Sequence, residues 1–381
     1  MSNKKQGTRN VEGEQVPSVL SGFDEVNPVT STFLVSCSLF DILNPPDYGS
    51  AMQRRTFLTT AVGATVAART SRELFGADRE VVPPLIIDTH QHLWDRSKLK
   101  LPWLADAPEV LRANYGVEDY RREVAHPNVR TVYMEVDVAA EDLPKEAAAI
   151  EALCQQSASQ TCGAVIGGRP DDAGFRDYLQ PYLKSGRVKG VRRVLHGPTT
   201  PQGYCLRDEF VQGVRLLGRL GLSFDLCMRP TEIKDAQRLT ELCPETRFIL
   251  DHCGNGDVNA FHPRPNGPEP SHTADDWKRD MEAIAQRPNV DCKISGIIAR
   301  AAKDWTDADL APIVNHCLDS FGPDRVVFGG DWPVCLLGAP LSKWIAALTR
   351  MIAQRPAMDQ IKLWSKNAQR VYRLSDAELS L

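Results

Sequence analysis

From Leu85 to the C-terminus the chain alternates short apolar runs with longer helical stretches, and that alternation narrows its fold more than any other feature. Eight runs stand in order: Leu85–Thr89, Arg130–Val136, Gly163–Gly167, Gly190–Val194, Leu222–Cys227, Phe248–His252, Val290–Ser295 and Val326–Gly330. Between them, segments such as Leu143–Ser157, Arg207–Leu220, Glu232–Cys243, Trp277–Gln286 and Leu310–Phe321 repeat apolar residues at three- and four-residue steps, the period of an outer helix. Gly221, Pro244 and the Arg287-Pro288 pair stand where those helices must end. Eight such units predict an α/β fold, a (β/α)8 TIM barrel over residues 85–374, and such barrels take roughly 250 residues. An open doubly wound sheet gives the same alternation, so the polar residues must decide between the two.

A net charge of −4 offers no basic footprint for nucleic acid, and the expected partner is a small-molecule substrate. Ten cysteines are scattered singly, with no CxxC pair; Cys227 and Cys292 lie inside strand-like apolar runs. They read as free thiols packed as small hydrophobes.

Residues 1–51 are rich in Ser, Asn, Gly and Pro, and read as a disordered extension or a mis-assigned start. Residues 52–80 carry Arg54-Arg55-Thr56-Phe57-Leu58 ahead of the uncharged run Thr59–Ala68. This matches a twin-arginine-type signal, with a chance Arg-Arg before an ordinary helix as the alternative, and the match makes the export machinery an expected partner and the periplasm or membrane face the expected location. The run is too short to span a bilayer.

Three strand ends carry chemistry. Asp88-Thr89-His90-Gln91-His92 closes the first run, and side chains two apart on a strand share a face, so His90 and His92 aim together. Composition alone gives roughly 0.2 such pairs in a chain of this kind, and the geometry suits two imidazoles on one metal ion. Phe248-Ile249-Leu250-Asp251-His252-Cys253-Gly254 turns polar at its end and places His252 at the same mouth. Val326-Val327-Phe328-Gly329-Gly330-Asp331 leaves a carboxylate at the last strand's end. Asp331 is suited to hold a water, take its proton during attack on a carbonyl and return it to the leaving oxygen. The alternative for Asp331 is a helix N-cap, with Pro333 close behind. Trp94, Trp103 and Trp332 stand near these motifs as candidate walls of a sugar-sized pocket or as core packing, with His196 and Tyr204 as further pocket candidates.

In order and spacing the chain resembles the amidohydrolase-related family, and within it the lactonase branch that contains fuconolactonase-like enzymes. The resemblance rests on DTHQHLWD, the PWL of Pro102–Leu104, GVRRVLH at Gly190–His196, LSFDLCM, FILDHCG, NVDCKISG at Asn289–Gly296, FGPDRVVFGGDWPVC at Phe321–Cys335 and NAQRVYRL at Asn367–Leu374. It implies that His90, His92, His252 and Asp331 are the active-site set, with Asp331 as general base and acid, and that Arg192 and Lys293 stand near the substrate. Arg193 stands where this branch commonly has histidine, and Gly330 where it frequently has serine. The resemblance implies hydrolysis of a sugar-acid lactone. Its alternatives are a metal-dependent decarboxylase or amide hydrolase of the same superfamily, or a non-catalytic barrel that binds a sugar acid. A single zinc on His90, His92, His252 and Asp331 suits the ligand types; lactonases of this branch also work without metal, and both outcomes stay open.

Overall fold

The computed structural model describes residues 85–156, 159–264 and 267–380, so the extension and the twin-arginine segment lie outside the described residues. Eight parallel strands stand in sequential order: β1 (Ile86–Gln91), β2 (Val129–Met134), β3 (Thr161–Gly167), β4 (Val188–Val194), β5 (Ser223–Cys227), β6 (Arg247–Leu250), β7 (Val290–Ile294) and β8 (Val326–Phe328). Sequential parallel order excludes the doubly wound sheet, whose strand order reverses at a switch point.

Helices alternate with the strands: α1 (Val117–Val124), α2 (Leu143–Cys154), α3 (Phe175–Leu179), α4 (Asp208–Leu220), α5 (Ile233–Leu242), α6 (Ala274–Ala285), α7 (Asp307–Phe321) and α8 (Leu341–Ile352). Each turns a buried stripe to the sheet. In α4 the buried set is Phe210, Val211, Gly213, Val214, Leu216 and Leu217, and Gly221 ends the helix in the left-handed conformation that glycine adopts without steric cost. Gly213 is required for a different reason: a Cβ there would stand 2.0 Å from the Pro170 carbonyl oxygen.

The eighth strand meets the first through local bonds. Gln91 bridges Trp332, the His92 amide donates to the Trp332 carbonyl at 2.8 Å, and Thr89 Oγ1 donates to the Phe328 carbonyl at 2.7 Å. The Asp88 carboxylate, fully buried, completes the seam by accepting from the amides of Gly330 (2.7 Å) and His90 (2.9 Å) and from the Tyr120 hydroxyl (2.8 Å). A Cβ on Gly330 would lie 2.4 Å from Asp88 Oδ2, which explains glycine where a serine was the family expectation.

The barrel's floor is closed by the segment after α8. Ala368, Val371, Tyr372 and Leu374 join Ile87, Val132, Met134, Val165, Ile249 and Val327 in one buried apolar cluster. All nine cysteines among the described residues are free and buried, as expected of thiols used as packing.

Candidate active site

β1 delivers His90 and His92 to the carboxyl end of the sheet. His92 Nδ1 faces the Met134 carbonyl at 2.9 Å, which requires a proton on Nδ1 and leaves the Nε2 lone pair pointing at Asp331 Oδ1, 3.5 Å away. His90, without solvent exposure, has Nε2 3.7 Å from the same oxygen. Asp331 is not a helix cap. Its carboxylate turns to the two imidazoles, and the 3-10 turn that follows begins only at Val334.

His252 does not continue β6, which stops at Leu250. The four residues His252, Cys253, Gly254 and Asn255 all hold positive φ, between 52° and 61°, and this left-handed turn swings the His252 ring to 4.4 Å from that of His90. Ser295, just past β7, meets His252 Nδ1 at 3.0 Å. Gly296 is compulsory beside it: its φ is 71°, and a Cβ would stand 2.3 Å from His252 Nδ1.

Beneath these rings lies a buried lattice of charge. Lys293 Nζ sits 2.8 Å from Asp225 Oδ2, 2.8 Å from Asp251 Oδ1 and 3.2 Å from His90 Nδ1. Arg192 pairs with Glu135 at 2.6 Å and Asp251 at 3.3 Å, and its Nη1 lies 3.2 Å from His90 Nε2. Burial works against the charge on Lys293, Arg192 and Asp251. Their opposite-charge partners outweigh it, holding both cations protonated and Asp251 ionised well below the usual carboxylate range. Burial, reinforced by Lys293, pushes His90 well below the usual imidazole range; burial also lowers His252. Both rings are therefore neutral at pH 7, able to accept a proton or offer a lone pair.

This lattice contains Arg192 and Lys293, the two cations expected near the substrate. Lys293 is fully buried beneath His90, where Asp225 and Asp251 neutralise it. Arg192 spends its donors on Glu135, Asp251 and His90. Trp94 and Trp332 take the packing alternative of the sequence reading in this structure. Trp94 is 3% exposed, packed edge-on to Trp103 and Tyr115, and Trp332 is 1% exposed between Tyr115 and Tyr120, so neither offers an open ring face to a sugar. His196 stands partly shielded just past β4; burial first, then Arg300, Arg192, His252 and Arg229, push it down to about 3. Asp225, Glu135 and Asp251 escaped notice in the sequence. The available signal was a carboxylate inside or at the end of an apolar strand, which demands a buried partner.

Residues 87–374 match the amidohydrolase family profile. The chain belongs to the amidohydrolase family. Within that family it is 26% identical over 311 residues to a protein named L-fucono-1,5-lactonase from Burkholderia multivorans, covering 77% of this chain and 97% of that protein. Among solved structures, an amidohydrolase from Burkholderia multivorans with bound zinc superposes with a TM-score of 0.66 at 23% identity, covering 76% of this chain and all of that one. A 2,6-dihydroxybenzoate decarboxylase superposes with a TM-score of 0.52 at 16% identity, covering 76% and 99%. The amidohydrolase fold thus carries hydrolytic and decarboxylating enzymes alike, and this chain is a hydrolase-family enzyme.

The donors suit a metal. Ligand atoms around a tetrahedral zinc with bonds of about 2.1 Å stand about 3.4 Å apart; the Asp331 oxygen lies 3.5 Å and 3.7 Å from the two Nε2 atoms. The expected ligands do not form one cluster: His90, His92 and Asp331 make one group, whereas His252 groups with His90 and Asp251, a carboxylate outside the expected set. To serve an ion, His90 Nε2 must turn its lone pair from the Arg192 guanidinium to the metal.

Proposed function

We propose that this amidohydrolase opens a cyclic ester by water attack, with Asp331 as the proton carrier. The supporting observation is the placement of Asp331 Oδ1 within 3.7 Å of two imidazole nitrogens, in a site whose other carboxylates are already committed to cations. Asp331 accepts a proton as the water oxygen bonds to the lactone carbonyl carbon. The oxyanion of the tetrahedral intermediate then collapses, the ring carbon–oxygen bond breaks, and Asp331 returns the proton to the departing alkoxide. One hydroxy acid results.

Neutral His92, fixed by the Met134 carbonyl, and His252, fixed by Ser295, border the reacting centre with ring orientations set in advance. A single zinc held by His90, His92 and Asp331 would polarise the carbonyl and acidify the water. The lactone reading draws on the fuconolactonase relative, and the zinc reading on the zinc-bound structural neighbour. Hydrolysis assays on a panel of sugar-acid lactones, with and without added zinc, test both readings. Ring opening above the uncatalysed rate supports the first. Carbon dioxide release from a hydroxylated aromatic acid, with no lactone opened, would replace it by the decarboxylase alternative.

We also assign the Arg54-Arg55 segment to twin-arginine export. Cell fractionation of wild-type and Arg54→Lys/Arg55→Lys chains tests this, and an unchanged distribution would refute it.

A further inference from the structure

The mouth of the barrel is unevenly compensated. Of its cations, Arg192 is matched by Glu135 and Asp251, and Lys293 by Asp225 and Asp251. Arg229 is matched by Glu232 at 2.9 Å and by the carbonyls of Leu195, Gly197 and Thr200. Arg193 and Arg300 differ: among the described residues neither has a carboxylate within ion-pair distance, and Arg193, on β4, reaches only the Thr199 hydroxyl at 3.4 Å. Arg300 lies on the 3-10 turn Ile297–Arg300 that follows β7.

Its guanidinium is nonetheless held in place. Nη2 donates to Asn255 Oδ1 at 2.9 Å and Nη1 to the Asn255 carbonyl at 3.4 Å, while Asn255 Nδ2 is itself anchored on the Met228 carbonyl at 2.6 Å. Asn255 is the last residue of the left-handed turn that begins with His252. The same turn therefore fixes the reactive-site imidazole and this uncompensated cation, on one side of the mouth. The neighbouring Asp257 spends its oxygens on the amides of Asn259 and Ser271.

A guanidinium has five N–H groups in a planar fork that matches a carboxylate. Arg300 uses two of them on Asn255, and no other protein acceptor among the described residues takes the remaining three.

We propose that Arg300 receives a carboxylate of the substrate, so that the cyclic ester opened here is one that carries a free acid group and its product is a hydroxy diacid. The assignment rests on the hydrolytic reading of the Asp331 centre for turnover, and on Arg300 alone for binding. The test compares carboxyl-bearing five- and six-membered lactones, including the γ-lactone of α-hydroxyglutaric acid, with their carboxamides, on the purified full chain. Wild type is expected to favour the acids by kcat/KM, and Arg300→Met to lower that preference about 10- to 100-fold through KM. Arg300→Lys should restore part of it, which a merely structural role would not produce. Equal or better use of the carboxamides by wild type, or a preference that survives in Arg300→Met, overturns the proposal. A second arm measures calorimetric binding of the open diacids to wild type and both variants. Diacid binding weakened by Arg300→Met, with no lactone turned over, upholds the carboxylate site and refutes the hydrolytic reading; no diacid binding to wild type refutes the site itself.

Discussion

Asp331 and His252 both hold φ near 55°, a region L-residues enter at a cost of about 1–3 kcal/mol. Two such residues facing one buried imidazole mark the place where the fold spends stability on geometry. Replacing Asp331 by Asn keeps the shape and removes the proton acceptor, so kcat should fall by about two to four orders of magnitude while the melting temperature holds; steady-state kinetics beside circular dichroism check this. Glu146, behind Arg192, behaves differently. Burial and the neighbouring Glu135 raise it to about 8, although Tyr133 and the Val136 amide bond it. Its unfolded value is near 4.5, so the unfolded chain ionises first and wild-type stability drains away between pH 4.5 and about 8. Glu146→Gln cannot ionise. Its melting temperature should gain on wild type steadily across that window and level off above it, and a margin independent of pH would contradict the assignment. At this scale the sequence revealed His90 and His92 by their two-residue spacing and Asp331 by its place after two glycines. It hid Asp251, Asp225 and Glu135, because their significance depends on cations brought from other strands.

Strand ends do the positioning. The alternation of apolar runs foretold all eight strands, yet β8 stops at Phe328 and β6 at Leu250, short of the expected Gly330 and His252. The shortfall has a cause in each case. Asp88 captures the Gly330 amide where a ladder bond would have formed, and β6 gives way to the left-handed turn, which nothing short of the Cys253-Gly254 pair announces in the sequence. Gly296 supports that turn from β7. Gly296→Ala would force a Cβ against the His252 ring in a backbone conformation alanine dislikes, and should cost about 1–3 kcal/mol together with much of the activity. Thermal unfolding and kcat measured on the same sample separate that outcome from a tolerated change, in which neither would move.

Across the whole molecule, the C-terminal segment is a stopper as much as an end. Tyr372 reaches up to Asp225 at 3.2 Å, Asp225 pairs with Lys293, and Lys293 pairs with Asp251, which faces His90 Nδ1 at 3.6 Å, so floor and mouth are joined by one chain of polar contacts within the barrel. Removing residues 367–381 would bare the cluster of Ile87, Val132, Met134 and Ile249 to water. Cooperative unfolding should then be lost, as calorimetry would show; a sharp transition near the wild-type temperature would mean the barrel closes without its stopper. The (β/α)8 architecture was legible because its period recurs eight times, whereas the stopper's role depends on contacts far apart in sequence. The central claim, a water-attack centre built on Asp331, is most directly tested by following proton release when purified enzyme, with and without zinc, meets a panel of neutral and carboxyl-bearing lactones. Wild type should release one proton for each ring opened and Asp331→Asn almost none; equal rates in the two proteins, or no ring opened by wild type in either condition, would contradict it.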